Sequence, residues 1–399
     1  MTATPLSSRA ESRLVWLLAG IQFCHIVDFM VMMPLGPQLM RTLHMSTAEF
    51  GLLVSAYTLS AGLTGFAGAF VIDRVDRRRL MLALFTGFIM ATLACGFAWS
   101  FGSLLLARVL AGMFGGVLAA TLLAIIGDCI PAERRGAATG KVMAGFALAA
   151  VAGVPLGIWM ATHGGWRLPF YGVAATGVLL WLLALRVLPS IPARDTGPLQ
   201  IAHTLRLVMG ERNHLRAFAL VSVLMLAGFS VIAFISPYMV HNVGLTEAQL
   251  ALIYLYGGIA SLLTAPLIGK LTDRIGKTPT FRWFALLSLL PLLALTHLPP
   301  SPLPLVLMVT TAFMVFIGGR MIAAITLIQS ASTPELRGRF LSFNSAIQQL
   351  ASGLAAFLPT LLLTEDAAGR LLHYDLVGYG AAAMTVLAIW LAGKIEIRS

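Results

Sequence analysis

The sequence predicts an all-α integral membrane protein with twelve membrane-spanning helices in two sets of six. This prediction depends on the composition, on the number of long apolar stretches and on motifs that repeat between the two halves. Of the 399 residues, 58% are hydrophobic and 11% are charged, whereas a soluble domain carries about 25% charged residues. So few charges cannot cover a water-soluble globule, and the high hydrophobicity excludes a disordered chain.

Apolar stretches long enough to cross a bilayer recur along the whole chain. A helix with its connection takes about 33 residues, so a chain of this length has room for about twelve spans. The first half contains stretches at about 14–36, 47–71, 80–99, 103–127, 137–162 and 167–188. The second half contains stretches at about 215–240, 247–271, 281–298, 303–329, 340–364 and 374–393. We number these predicted spans 1 to 12 in chain order, and we expect span 1 to be retained because it lacks an Ala-x-Ala cleavage site.

Lys and Arg residues concentrate on one side of the predicted membrane. They precede span 1, follow each even-numbered span and return at the C-terminus: Arg9, Arg13, Arg74, Arg77, Arg78, Arg79, Arg134, Arg135, Lys141, Lys270, Arg274, Lys277, Arg337, Arg339, Lys394 and Arg398. The opposite loops contain only Arg41, Arg167 and Arg370. Because positively charged loops stay in the cytoplasm, both termini are predicted to be cytoplasmic in a multi-pass protein of the inner (cytoplasmic) membrane. The net charge of +11 then reports orientation, and no nucleic-acid partner is expected.

Short motifs repeat between the halves at a nearly constant offset. Ser46-Thr47-Ala48-Glu49 is predicted to cap the start of span 2, and Thr246-Glu247-Ala248-Gln249 to cap span 8 in the same way. Asp73-Arg74 ends span 2, and Asp273-Arg274 ends span 8. These matches indicate that a six-helix unit has been duplicated.

The longest polar stretch lies between the two sets of spans, at 189–213. We predict that it is a cytoplasmic linker between an N-terminal six-helix bundle, 1–188, and a C-terminal one, 214–399. Within the linker, 199–209 is predicted to form a short amphipathic helix on the membrane surface.

The loops after spans 2 and 8 resemble the signature of the major facilitator superfamily of secondary transporters, Gly-x-x-x-Asp-Arg-x-Gly-Arg/Lys-Arg/Lys. The second loop matches at Gly269, Asp273, Arg274, Gly276 and Lys277. The first loop matches at Asp73, Arg74, Arg77 and Arg78, but Ala69 and Asp76 replace the two glycines. The resemblance covers almost the whole chain and implies two pseudo-symmetric six-helix bundles, the major facilitator fold.

Spans 4 and 5 resemble the drug–proton exporter branch of this superfamily, especially its sugar and drug efflux members. Span 4 carries Arg108, Gly112, Gly115 and Gly116, similar to the second motif of the family. Span 5 carries Gly145, Gly153, Pro155 and Gly157, similar to the antiporter motif, with Val154 separating the Gly-Pro pair. We expect the small residues of span 5 to act as a hinge, because they permit close packing and bending.

The strongest candidates for proton coupling lie in spans 1 and 4. Gln22, His25, Asp28, Phe29 and Met32 share one face of span 1, and such a polar stripe is expected to face a water-filled cavity. A rise of 1.5 Å per residue places Asp28 about 10 Å, and Arg108 about 9 Å, below the outer ends of their helices. Both helices line the cavity in the family that the sequence resembles, so the sequence predicts an Asp28–Arg108 contact that protonation would break.

Structural alternatives stay open for each of these residues. Asp28 could form only a helix–helix hydrogen bond, Arg108 could be a fixed cation on backbone carbonyls, and His25 could pack rather than relay protons. Tyr57, Asn344 and Gln348 are candidates for hydrogen bonds to substrate. Arg320 could meet an anionic substrate group or extend toward the cytoplasmic surface, and we favour the second alternative.

The loop charges are predicted to have a different task. Asp73 is expected to cap the start of span 11, and Arg74 or Arg77 to reach Asp128 at the end of span 4. The resemblance implies that this network latches an outward-facing state. The end of span 10 has Gln329 and no acid, so the latch of the second half should be weaker.

These features predict a secondary active transporter that works by alternating access. The expected activity is proton-coupled efflux of a small, partly apolar molecule by a monomer, with the proton gradient in place of any cofactor. The chain has no HExxH, GxSxG, Walker or zinc-ligand pattern, so neither an enzyme nor a metal site is expected. Two alternatives stay open: a sugar or metabolite exporter or uptake permease of the same fold, and a non-transporting receptor or scaffold.

Overall fold

The structure is a computed structural model that describes residues 7–193, 201–333 and 336–398, without the side chains of 69–71, 73, 132 and 201–204. The described chain is almost entirely helical. The helices before residue 194 are α1 (Ser8–Val31), α2 (Gly36–Leu43), α3 (Thr47–Val71), α4 (Arg77–Phe97), α5 (Phe101–Cys129), α6 (Ala132–Leu148), α7 (Val154–Gly164) and α8 (Leu168–Val187). The later helices are α9 (Ile201–Met209), α10 (Arg212–Ile232), α11 (Ile235–His241), α12 (Glu247–Ile275), α13 (Lys277–Thr296), α14 (Leu303–Gln329), α15 (Arg337–Phe357) and α16 (Tyr374–Ala392).

Irregular elements join some of these helices. A π-helical turn, Ala149–Gly153, connects α6 to α7, and 3₁₀ turns follow α3 at Ile72–Arg74 and α15 at Leu358–Leu361. A two-residue antiparallel pair, β1 (Thr364–Glu365) and β2 (Leu371–Leu372), precedes α16. The sequence predicted none of these short elements.

Eleven helical segments within the described residues are long and apolar enough to cross a membrane. Predicted span 11 corresponds to α15, which has a sufficient length of 21 residues but is less apolar. Besides Arg337 and Arg339, its polar side chains are Ser342, Asn344, Ser345, Gln348, Gln349 and Ser352. With α15, the helices account for the twelve predicted spans, and the predicted all-α membrane fold is confirmed.

The predicted capping boxes are confirmed at the starts of α3 and α12. The Ser46 amide donates to Glu49 Oε2 at 2.8 Å, and the Glu49 amide donates to Ser46 Oγ at 3.2 Å. Thr246 and Gln249 form the same reciprocal pair at 2.9 and 3.3 Å. These bonds satisfy backbone N–H groups that the first helical turn leaves without a partner. The predicted linker helix is also present as α9, although 194–200 lie outside the described residues.

Close contacts group the chain into two compact units. Unit 1 comprises Met1–Met32 and Ala56–Leu199, and unit 2 comprises Met33–Ser55 and Gln200–Ser399. The bundle boundaries at 188 and 214 stay a prediction. The interior of unit 1 is formed by aliphatic and aromatic side chains of α1, α4 and α5, among them Leu14, Leu18, Ile21, Phe85, Phe88, Leu118 and Leu122.

Candidate functional site

A buried ion pair joins α1 to α5 in unit 1. Arg108 Nη1 donates to Asp28 Oδ2 at 2.9 Å and to the Asp28 backbone carbonyl at 3.2 Å. The Asp28 and Arg108 side chains are 0% and 1% exposed. The contact predicted from helix depth is therefore confirmed, and its role in proton coupling stays a prediction.

Two further helices complete the surroundings of this pair. Thr92 on α4 donates from Oγ1 to Asp28 Oδ1 at 3.1 Å. The Arg108 guanidinium lies over the ring of Tyr57 on α3, with Cζ 4.3 Å from the ring centroid. A desolvated cation–π contact of this kind contributes about 2 kcal/mol. Thr92 thus donates a hydrogen bond to the ionised Asp28 carboxylate, and the Tyr57 ring stabilises the charge of Arg108.

Glycines on α5 allow this arrangement. A side chain at Gly112 would collide with the backbone of Tyr57, and one at Gly116 would collide with the backbone of Ala61. Without side chains at these two positions, α3 and α5 approach closely. Because Arg108 is one helical turn before Gly112, the same approach places its guanidinium on the Tyr57 ring. The Arg–Gly spacing of span 4 therefore positions the cation.

Several buried polar atoms on α1, α3 and α5 have no hydrogen-bond partner among the described residues. They are Gln22 Oε1, both ring nitrogens of His25, the Tyr57 hydroxyl and Arg108 Nε. A Cβ at Gly115 would lie 2.7 Å from Tyr57 Oη and 2.8 Å from His25 Nε2, so both groups pack closely against this glycine. An unsatisfied buried polar group costs about 1–3 kcal/mol. Unit 1 thus keeps donors and acceptors beside the ion pair at a cost in stability.

The rest of the predicted stripe on span 1 lies near this centre. The ring of Phe29 packs on Tyr57 with centroids 5.4 Å apart, and His25 packs on Phe88 at 5.8 Å. Met32 is 1% exposed. The structure therefore brings His25, Asp28 and Phe29 together with Tyr57 around Arg108.

Arg320 lies in the interior of unit 2. Its Nη1 donates to Thr385 Oγ1 on α16 at 2.8 Å and to Ser288 Oγ on α13 at 3.2 Å. The residue is 1% exposed. The expectation that Arg320 extends to the cytoplasmic surface is wrong, because these hydroxyls on neighbouring helices hold the guanidinium inside the unit.

Asn344 and Gln348 line a cavity of about 170 Å³ in unit 2, between α10, α14 and α15. Asn344 Oδ1 is buried without a partner among the described residues. The remaining wall is mostly apolar: Val221, Leu224, Met321, Ala324, Ile325, Ile328 and Leu341, with Gln329 and Ser345. The two candidates therefore share one cavity, and their contact with substrate stays a prediction.

The predicted latch is partly described by the structure. Arg77 Nε lies 3.0 Å from Asp128 Oδ2, with both side chains at least nine-tenths buried. Arg77 also donates to the Ile72 carbonyl. The side chain of Asp73 lies outside the described residues, and Arg74 is exposed. The Arg77–Asp128 contact is confirmed, whereas its action as a latch stays a prediction.

The corresponding loop of the second half is more open. Asp273 and Arg274 are exposed, and no ion pair of theirs occurs within the described ranges. Gly269 has no neighbouring atom where a Cβ would lie, and Gly276 has φ = 96° at the junction of α12 and α13, next to Lys277. This geometry agrees with the expectation of a weaker latch.

The predicted hinge residues line the contact of α6 and α7 with α1. A Cβ at Gly145 would lie 3.2 Å from the Ala19 carbonyl, and those at Gly153 and Gly157 would collide with Val27 and Val31. The π-helical turn lies between Gly145 and Pro155. Wide turns of this kind are frequent at functional sites in helices.

Sequence reasoning missed two polar contacts in unit 2. Arg41 Nη1 lies 2.6 Å from Glu247 Oε1. Glu365 Oε1 accepts from the amide of Thr47 at 2.9 Å and also from its hydroxyl. The partners are 206 and 318 residues apart in the chain, and no local pattern indicates such pairing. The available signal for Arg41 was that it is one of only three basic residues in the predicted outer loops, which singles it out as a residue with a specific contact.

Known proteins share both the sequence pattern and the fold. The profile of the Major Facilitator Superfamily matches residues 18–217 and 217–396. An uncharacterized MFS-type transporter of Bacillus subtilis (strain 168), YceJ, is 27% identical over 273 residues, which are 67% of this chain and 68% of YceJ.

Solved transporter structures resemble the fold over nearly the full length. The D-xylose-proton symporter matches with a TM-score of 0.80 and 16% identity, covering 98% of this chain and 99% of its own. A bacterial homologue of the human lysosomal transporter Spinster, inward-facing and unoccupied, matches with a TM-score of 0.73 and 19% identity, covering 98% and 95%. The chain, a multi-pass membrane protein, therefore belongs to the Major Facilitator Superfamily of membrane transporters.

Proposed function

We propose that this transporter exports a small, partly apolar molecule in exchange for protons, by alternating access. The observation that carries the proposal is the buried Asp28–Arg108 pair, with its 2.9 Å contact and its border of unpartnered polar atoms. An ionisable pair inside a membrane-spanning region is costly and marks a functional pathway. We further propose that the protein works as a monomer in the inner membrane, with both termini cytoplasmic and no cofactor beyond the proton gradient.

A proton on Asp28 would change the state of both partners. The neutral carboxyl no longer provides a negative charge, and one of its oxygens becomes a donor. Arg108 keeps its charge at any physiological pH, so it remains a buried cation without a counter-ion. Such a cation costs several kcal/mol. Protonation therefore favours an arrangement in which Arg108 finds another acceptor or reaches water, and this links proton occupancy to conformation.

The side chains around the pair support a partly apolar substrate. Phe29 and Tyr57 pack together beside Arg108, and Met32 is the buried residue that directly follows α1. His25 and Tyr57 both pack against Gly115, and their unpartnered polar atoms are available to pass a proton or to bind substrate. The resemblance of span 5 to the antiporter motif supports exchange rather than symport.

Transport in proteoliposomes tests this proposal. Purified protein is reconstituted into proteoliposomes, which are loaded with one of four probes: ethidium, chloramphenicol, benzoate or a hexose. We expect an imposed inward proton gradient to accelerate efflux of at least one probe, and Asp28→Asn to remove the dependence on the gradient. Asp366→Asn, which changes a partly exposed acid between β1 and β2, is the matched control and should behave as wild type.

Each other outcome contradicts the proposal in a defined way. Probe efflux that is indifferent to the gradient would exclude proton exchange. Uptake of a probe together with protons would show the permease alternative. Unchanged pH dependence in Asp28→Asn would show that another group couples the proton, and failure of every probe to move would favour a receptor or scaffold.

A further inference from the structure

Arg320 is a buried cation that has no carboxylate partner within the described residues. Its Nη1 is bound by the hydroxyls of Ser288 and Thr385, and its Nε has no partner. These hydroxyls donate their own protons to Ala285 and Ala381 carbonyls within their helices. They therefore offer Arg320 dipoles and no charge. Because a guanidinium does not lose its proton in a protein, the charge of Arg320 is compensated only in part.

The residue that faces Arg320 across unit 2 is Gly228 of α10. A Cβ built at Gly228 would lie 3.6 Å from Arg320 Nη2, an ordinary contact distance, so a side chain at this position would touch the guanidinium. By the offset of 200 residues that relates the capping boxes, Gly228 corresponds to Asp28, which neutralises Arg108 in unit 1. Unit 2 thus has the cation without an acid at the position that matches Asp28.

The cavity that contains Asn344 and Gln348 approaches this position. Leu224 and Ala324 line it, and they are one helical turn from Gly228 and Arg320 on the same helix faces. The cavity volume of about 170 Å³ equals the liquid volume of about six waters. It is large enough for an apolar group the size of an aromatic ring, with the charge of Arg320 one turn beyond.

We propose that Arg320, on its side toward Gly228, binds the carboxylate of the transported molecule, and that the substrate is a small amphipathic organic anion. Its apolar part occupies the cavity between α10, α14 and α15, and Asn344 and Gln348 offer it hydrogen bonds. The identity of this ligand as the substrate rests on the proposed function, whereas its binding does not.

Binding of radiolabelled benzoate to the purified full-length protein tests this site, with benzamide as the neutral probe of the same shape. We expect saturable benzoate binding, at least tenfold weaker benzamide binding, and at least tenfold weaker benzoate binding in Arg320→Gln. Gly228→Asp should also abolish benzoate binding, since it supplies an internal carboxylate. Gly380→Ala, on α16 with open space where a Cβ would lie, is the control and should keep most of the binding.

The controls separate a lost site from a lost fold. Gly228→Asp should melt no lower than Gly228→Ala, because the new carboxylate pairs with Arg320. Equal binding of benzoate and benzamide, or unchanged benzoate binding in Arg320→Gln, would overturn the proposal. If benzoate fails to bind while another probe still moves with the proton gradient, the anion site is wrong and the proposed function stands. If benzoate binds through Arg320 and no probe responds to the gradient, the anion site stands and the proposed function is wrong.

A second surface in unit 1 is distinct from both transport centres. A groove of about 510 Å³ between α1 and α8 is lined by Arg9, Ser12, Arg13, Trp16, Leu17, Leu180, Leu183 and Val187. Trp16 is 64% exposed, and neither arginine has a carboxylate partner in the described part of the chain. The groove therefore has a basic mouth, an indole of the kind found at membrane interfaces and aliphatic walls.

The structure assigns this groove to an anionic phospholipid. The phosphate would lie between Arg9 and Arg13, and an acyl chain would run along Leu180 and Leu183, as in other basic pockets between membrane helices. Native mass spectrometry of the detergent-purified protein with phosphatidylglycerol or phosphatidylcholine tests the assignment. We expect preferential retention of phosphatidylglycerol, lost in Arg9→Gln/Arg13→Gln and kept in Arg78→Gln/Arg79→Gln. Equal retention of the two lipids, or no loss in the first double variant, would overturn it.

Discussion

Two buried arginines, one in each unit, are compensated in different ways. Arg108 lies seven residues after Phe101, the first residue of α5, and is neutralised by Asp28. Arg320 lies seventeen residues after Leu303, the first residue of α14, and is held by two hydroxyls. The ten-residue difference corresponds to about 15 Å along the helix axis. Both units thus have the corresponding helix, and the arginine stands on a different helical turn in each.

This difference teaches how similar helical scaffolds can respond to different signals. The centre in unit 1 contains both charges, so gain of a proton by Asp28 changes its net charge without any ligand. The centre in unit 2 contains one charge, and only a group from elsewhere can complete it. We therefore expect unit 1 to respond to pH and unit 2 to respond to an anion.

The largest effect is expected from breaking the pair of unit 1. Asp28→Ala leaves Arg108 buried without a counter-ion and should lower the free energy of unfolding by about 3–5 kcal/mol. In Asp28→Ala/Arg108→Met, both charges are absent, so most of this loss should be recovered. Unfolding in mixed detergent measures both variants. Equal destabilisation of the single and double variants would show that the pair contributes through packing and not through charge.

A smaller effect is expected from the close approach that positions Arg108. Gly112→Ala forces α3 away from α5, because the new methyl group would collide with the Tyr57 backbone. Overpacking of this kind costs about 1–3 kcal/mol, and it should also weaken the dependence of transport on the proton gradient. Gly102→Ala, on the same helix with open space around the position, is the control. Thermal melting and transport that are identical in the two variants would contradict the positioning role.

Removal of the cation of unit 2 should have almost no effect on stability. Arg320→Met replaces a buried ion with an apolar side chain, a change that is often neutral or stabilising. Ser288 and Thr385 keep their hydrogen bonds to their own helices, so no donor loses its partner. Arg108→Met, which leaves Asp28 buried and unpaired, should instead melt lower. A large drop in melting temperature for Arg320→Met would show that Arg320 has a structural role and would weaken the contrast.

The smallest effect is expected at the first residue before α4. Partial burial raises the pKa of Asp76, but hydrogen bonds from the Arg79 amide and the Ser190 hydroxyl outweigh it, so the pKa is lowered from its ordinary value. Because the folded-state pKa is the lower one, this carboxylate stabilises the fold above about pH 4 and loses the effect as pH falls further. Asp76→Asn keeps a helix cap and removes the titration.

Melting temperatures of wild type and Asp76→Asn between pH 3 and pH 7 measure this contribution. The two should differ most at neutral pH and converge below about pH 4. Unit 2 has Gly276 at the corresponding position, with no side-chain cap on α13, so Gly276→Ser should leave the pH profile unchanged. A constant difference across the pH range would show that Asp76 does not contribute through its charge.

The centre in unit 1 was predictable because depth along a helix follows from residue number. A rise of 1.5 Å per residue places Asp28 and Arg108 at similar depths, and the family resemblance implies that both of their helices line the cavity. The capping boxes at Ser46 and Thr246 were predictable for a related reason, since both partners lie within one helical turn.

The environment of Arg320 was not predictable in this way. Its partners Ser288 and Thr385 are 32 and 65 residues away, and serine or threonine in a membrane helix most often bonds to its own backbone. The depth of Arg320 was evident, whereas the direction of its side chain depends on which helices pack around α14. The same holds for Arg41 and Glu247, whose pairing depends on tertiary packing alone.

The π-helical turn Ala149–Gly153 connects α6 to α7 and contains one residue more than a continuous α-helix would have over the same length. Gly145 and Gly153, eight residues apart, would be about 80° out of phase in an uninterrupted α-helix. The π-helical turn absorbs one residue, reduces the mismatch to about 20° and keeps both glycines on α1. Deleting one residue inside the turn would therefore preserve the phase of everything that follows. A deletion in the regular part of α6 would rotate Gly153 and Gly157 away from α1 by about 100°.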